Sequence, residues 1–196
     1  MKFFHLLVLS LLASNFSGRP LGSAELSAVE PITTLSSINP DEEVIPWTDH
    51  RLCWDDFLCE PRRGTDAVAS TSTSLGIAYQ VQHGKLSYNV TCNFSKLKSW
   101  GLMRTEYILA HEQGHFDITE VYARKLHEAL ANYTFNKRSF KKDITDIYNR
   151  IVQEKEDCQE RYDSESDHSR NRKLQLEWLK HIQTMLEETE EFAAYP

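Results

Sequence analysis

Residues 109–116 read LAHEQGHF, with His111 and His115 four positions apart and Glu112 directly after the first. On a helix, positions i and i+4 stand one above the other, so two imidazoles at this spacing present their nitrogens to a common point. Imidazole nitrogen binds zinc at about 2.0 Å, and zinc-dependent hydrolases carry their paired histidines at this interval. Glu112 lies about 100° around the helix from His111, at the shoulder of that face. From there a carboxylate can take the proton of a zinc-acidified water and hand it to a leaving amine without ligating the metal. Gly114, which has no side chain, leaves room for a strand or a substrate to come close.

A catalytic zinc normally takes three protein ligands and keeps one position for water, so a third ligand must come from elsewhere. Asp117 and Glu120 lie about 240° and 180° from His111 and cannot join the same ion while the helix continues. They are expected to be supporting, capping or solvated groups. Downstream, YDSESDH at residues 162–168 gathers Tyr162, Asp163, Glu165, Asp167 and His168 near the end of a second helical pattern. If that helix runs unbroken, Glu165 continues the inward line of Cys158 and Tyr162, with His168 about 60° off it. If it ends near Ser164, His168 is free to turn toward the metal. The plain alternative is a solvated charged turn between two helices.

The elements that must hold these residues can be read from periodicity. Within residues 74–94, Ile77, Tyr79 and Val81 alternate with polar or small partners. After His83 and Gly84, the series Leu86, Tyr88, Val90, Cys92 and Phe94 does the same, which predicts a hairpin with one buried face. That hairpin could offer an edge strand to an extended peptide. Over 104–133 the period becomes helical: Ile108, His111, His115, Ile118, Tyr122, Leu126, Ala129 and Tyr133 fall in a stripe about 80° wide, so both histidines face inward. Two further helices are predicted over 142–162 and 171–191. Trp54 and Phe57 are expected as core or cleft-wall aromatics, with core favoured. Strands first and helices after make an α+β arrangement of a small antiparallel sheet on the HExxH helix, in one domain from 47 to 196.

Compartment follows from the N-terminus and the cysteines. Lys2, an apolar run over 3–13 and small residues up to Ala24 read as a secretory signal peptide over 1–24, too short to span a bilayer. A secreted or periplasmic location with no stable membrane insertion after cleavage is expected. Residues 25–46 show no sustained period and read as a loose lead-in. The four cysteines are even in number, as an oxidising compartment would favour, and Cys53 with Cys59 and Cys92 with Cys158 is the preferred pairing. No close C-x-x-C pair supports a cysteine zinc site. A net charge of −7, with basic residues interspersed among acids, argues against a nucleic-acid partner.

Four stretches carry a resemblance: CWDDF at 53–57, AVASTSTSLGIAY at 67–79, HEQGHFDITEVYARKL at 111–126 and ERYDSESDHSRNRKLQLEW at 160–178. In that order they resemble a bacterial family of secreted proteins described as zinc-dependent proteases and catalogued as a domain of unknown function. The resemblance covers roughly 47–186. It implies a zincin-like fold, export, and Zn2+ carried by His111 and His115 with Glu112 as catalytic base. The family's later block reads tyrosine, aspartate, any residue, glutamate, threonine, any residue, histidine, glycine; here Ser166 and Ser169 replace the threonine and the glycine. The matches at Tyr162, Asp163, Glu165 and His168 favour His168 as third ligand, with Glu165 and Asp163 as rivals.

The expectation is therefore an exported zinc metallopeptidase acting on a peptide or protein substrate, in which Tyr162 helps hold the oxyanion of the tetrahedral intermediate. Two competitors remain: a secreted module that keeps zinc only for its fold, marked by a fourth protein ligand, and a zinc hydrolase of a non-protein amide such as cell-wall material.

Overall fold

The computed structural model describes residues 31–36, 42–48, 51–62 and 64–196; the expected signal peptide lies outside them. In chain order the elements are β1 (Thr33–Leu35), β2 (Val44–Pro46), β3 (Ala69–Ser70), β4 (Thr73–Gln82), β5 (Lys85–Ser95), β6 (Trp100–Gly101), α1 (Glu106–Ala131), α2 (Phe140–Ser166) and α3 (Arg172–Glu188). The architecture is α+β, with an antiparallel four-stranded sheet and three helices. No helix among the described residues is long and apolar enough to cross a membrane.

β4 and β5 form the predicted hairpin. His83 and Gly84 are its two loop residues, both at positive φ (52° and 73°), which the tight turn between right-twisted strands requires. The register sets Ile77 opposite Val90 and Leu75 opposite Cys92, so the alternating residues share one buried face. The sheet order is β1-β4-β5-β2. Both outer strands come from the stretch expected as a loose lead-in: Thr33–Leu35 pairs with β4 and Val44–Pro46 with β5. Three-residue strands are too short to show a period, so composition alone points to a loop there. With β1 and β2 in place, the hairpin edges are partly covered. The strand edge beside the histidines belongs instead to β3, whose partner is β6.

α1 begins at Thr105, whose hydroxyl accepts from the Ile108 amide at 3.2 Å and caps the helix. α1 packs against β4 and β5 of the sheet and against α2 and α3. The helix is consequently buried well beyond the predicted stripe: Phe116, Ile118, Val121, Ala123 and Leu126 have essentially no exposed surface. Phe57 joins this core, while Trp54 is partly buried and lies on Gly101, where a Cβ would come within 2.4 Å of its ring.

The expected disulfides are absent: all four thiols are free. Cys92 meets α1 at Glu120 and Cys158 meets it at Tyr122. Those positions lie about 200° apart around the helix, so α1 stands between the two sulfurs. Cys53 Sγ donates instead to Asp56, and Cys59 Sγ to the Glu60 carbonyl.

Candidate metal centre

Two helices build the site. The middle of α1 supplies His111, Glu112 and His115, and the last turns of α2 supply Gln159, Tyr162 and Asp163. Tyr162 is fully buried and anchors the crossing. Its ring stacks on His111 with centroids 4.6 Å apart, and its hydroxyl donates to the His111 carbonyl at 3.3 Å. The close approach expected at Gly114 is made by this tyrosine, since a Cβ there would lie 2.6 Å from its hydroxyl. Tyr162 therefore positions α1 from below. It is fully buried and not among the residues that line the cleft.

One residue further along α2 turns about 100° and brings Asp163 onto the histidines. Asp163 Oδ1 is 3.1 Å from His111 Nε2 and 3.1 Å from His115 Nε2, and the two nitrogens are 3.3 Å apart. His111, His115 and Asp163 are a group of potential metal ligands among the described residues. Tetrahedral zinc with ligands at about 2.0–2.1 Å requires ligand atoms about 3.3–3.4 Å apart, close to what these three show.

Gln159, one turn before Asp163, fixes the chemistry of His115. Its amide nitrogen donates to the His115 carbonyl at 2.9 Å and to Thr119 Oγ1 at 3.2 Å. Its oxygen therefore faces His115 Nδ1, which carries the proton and leaves Nε2 with a lone pair directed at the cluster. His111 Nδ1 has no hydrogen-bond partner among the described residues, so that ring is held by stacking.

The charges point the same way. Burial pushes His115 down, but the hydrogen bond and charge of Asp163, the Glu112 carboxylate and Gln159 outweigh it, and the imidazole is held above its ordinary value. Burial pushes Asp163 up, yet the hydrogen bonds of both histidines hold its carboxyl well below the usual carboxylate range. Two carboxylates beside two imidazoles thus create a site that favours positive charge.

The centre lies in a cleft of about 760 Å³ that also exposes Glu112, β3 and the turn after α2. A second lobe of about 460 Å³ adjoins it and shares Arg62, Ser70, Thr71, Trp100 and His115 with the first. The remaining candidates fall outside the cluster. α2 runs unbroken to Ser166, and Glu165 turns toward α3, where it accepts from Trp178 Nε1 at 2.8 Å. His168 lies on the cleft lip, its side chain 63% exposed and its Nδ1 3.6 Å from Asp163 Oδ1. Asp167, His168 and Ser169 all adopt left-handed φ (50°, 49° and 71°), at a cost of about 1–2 kcal/mol per residue for non-glycine. This turn is held by the His168 amide to the Asp163 carbonyl at 2.8 Å and by Tyr107 to the Ser169 carbonyl.

Sequence reasoning missed Gln159. Its signal was available, because it precedes Asp163 by four positions and so shares its face. Asp117 and Glu120, read as supporting or solvated, are buried against other partners. Asp117 accepts from Trp47 at 2.9 Å and Gln113 at 2.8 Å; Glu120 accepts from Arg124 at 2.8 Å and Tyr195 at 2.7 Å.

Residues 35–169, which contain every residue of this cluster, match the family model described as "Bacterial protein of unknown function (DUF922)". No curated protein and no solved structure matches the chain.

Proposed function

We propose that this chain, which belongs to the bacterial family of unknown function DUF922, is an exported zincin-like metallopeptidase with His111 Nε2, His115 Nε2 and Asp163 Oδ1 as its zinc ligands. The observation that carries this reading is the mutual spacing of 3.1–3.3 Å among three ligand atoms whose fourth side opens on a cleft. Export is supported by the leader-like composition of residues 1–24.

Zinc bound there would acidify a water and polarise a scissile carbonyl. The chain's own residues supply the rest. Glu112 faces the cleft beside the ligands and takes the proton of the attacking water, then delivers it to the departing amine. Gln159 keeps His115 in the ligating tautomer, and Tyr162 holds α1 at the spacing the three ligands need. β3 runs along the cleft wall, where an extended peptide can add beside it.

The test is zinc content and hydrolysis of a mixed peptide library by the mature chain and by Glu112→Gln. About one zinc in both, with cleavage in the parent alone and a loss on the order of a thousandfold in the variant, is the expected result. Zinc in both with cleavage in neither would favour a structural zinc module or a non-protein amide substrate. Absence of zinc from both would overturn the metal reading.

A further inference from the structure

The two lobes of the cleft differ in how their cations are occupied. In the smaller lobe Lys98 pairs with Glu42 at 2.6 Å, and the buried Lys155 pairs with Glu156 at 2.8 Å. In the larger lobe Arg172 has no carboxylate partner among the described residues; its guanidinium rests over the Tyr107 ring at 5.0 Å. Arg62, at the junction of the lobes, also has none. Arg170 shares Asp167 at 3.2 Å, both largely exposed, so that pair is weakly held. The acids of the larger lobe are Asp66 on its rim and the Glu112 and Asp163 carboxylates of the metal centre itself. Guanidinium groups without a carboxylate partner among the described residues stand here in a chain whose net charge is −7. Arg172 is exposed, and its contact with the Tyr107 ring favours an orientation in which the guanidinium faces the cleft.

From this asymmetry we infer that the cleft selects peptide segments with an acidic side chain in the larger lobe, lined by Arg172 and with Arg62 at its junction with the smaller one, on one fixed side of the metal centre. The inference rests on the peptidase reading for its substrate class. Arg172 and Arg62 are specificity residues and touch no reacting atom. Because the lobes meet at His115, a chain can pass through both, so the selected acid lies inside the peptide and not only at its end.

Two measurements test this. Zinc-loaded Glu112→Gln chain is titrated with labelled peptides that differ only in carrying Glu, Gln or Lys at two central positions, with fluorescence anisotropy as readout. The Glu peptide is expected to bind on the order of tenfold tighter than the Gln peptide and the Lys peptide weakest, a ranking that weakens with salt. Arg172→Glu, added to the same chain, should reverse the ranking, and Arg62→Glu should flatten it. Lys137→Glu, the same charge change at an exposed position away from the cleft, should leave it alone. Equal binding of the Glu and Lys peptides, or an unchanged ranking in both arginine variants, would overturn the inference. In the second measurement the parent chain cuts the same peptides and mass spectrometry locates the break. The acid is expected always on the same side of the cut. Equal cleavage of all three peptides would remove the acidic preference and leave the peptidase standing, whereas ranked binding without any cleavage would do the reverse.

Discussion

Helix α1 carries two polar clusters on different faces, and they handle charge in opposite ways. On the face toward the sheet and the C-terminal residues, each carboxylate meets donors. Glu120 accepts from Arg124 and Tyr195, Arg124 also donates to the Leu186 carbonyl and to Glu190, and Asp117 accepts from Trp47 and Gln113. Within that network Glu120 and Arg124 form a buried ion pair, and Asp117 is held chiefly by the neutral donors Trp47 and Gln113. On the face toward α2, His111 Nε2, His115 Nε2 and Asp163 Oδ1 converge on one point. A matched buried pair holds elements together, while converging lone pairs hold a place for an ion. Under the proposed zinc reading, the same helix is a structural strut on one side and a ligand platform on the other.

The sharpest way to break this comparison is to remove one member from each cluster. Asp163→Ala should lower zinc affinity and hydrolysis on the order of a thousandfold while the chain stays folded, measured by metal content and circular dichroism. Arg124→Ala should do the converse. It strands the Glu120 carboxylate, which is about 1% exposed, and should cost about 3–5 kcal/mol in denaturant unfolding, with zinc stoichiometry intact in the folded fraction. If the Arg124 variant lost zinc while keeping its stability, the division between strut and platform would fail. A smaller effect is expected at Gln159→Leu, which removes the acceptor that sets the His115 tautomer. Zinc affinity should fall about 10–100-fold, read by competition with a chelating dye.

The gentlest probe is pH. The His115 imidazole is held above its ordinary value, so its contribution to metal-free stability is present below about 6.5 and is lost as pH rises through the folded value. Asp163 is depressed, so its contribution is present above about 3.9 and is lost only as pH falls through its folded value. Asp163 is already ionised when rising pH reaches the raised folded value at which His115 gives up its proton. The zinc-induced rise in Tm should therefore be small below the folded His115 value and grow as pH rises through it. A flat profile would mean that His115 is not a ligand.

Much of this site is visible one residue at a time. The HEQGH spacing on a helix, the inward turn of both histidines and the position of Glu112 follow from a local period of 3.6 and need no knowledge of distant chain. The hairpin is equally local, with alternation on both arms and His83-Gly84 at its turn. The third member of the cluster is different. Residues 162–168 offer Asp163, Glu165 and His168 within six positions, and which of them meets the histidines depends on how α2 lies across α1. Stacking of Tyr162 under His111 and against Gly114 settles that angle, sending Asp163 inward, Glu165 toward Trp178 and His168 to the lip.

The same division runs through the rest of the molecule. By itself the sequence determined the helices, the hairpin, the paired histidines and their intervening acid, because each depends on the spacing of consecutive residues. Tertiary structure alone decided that Asp163 completes the cluster, that Gln159 orients His115, that Cys92 and Cys158 lie on opposite sides of α1, and that Arg172 lies over Tyr107 in the cleft. Each of these is a meeting between elements far apart in the chain. Such meetings are set by the summed packing of whole helix and sheet faces, which no short window of residues contains.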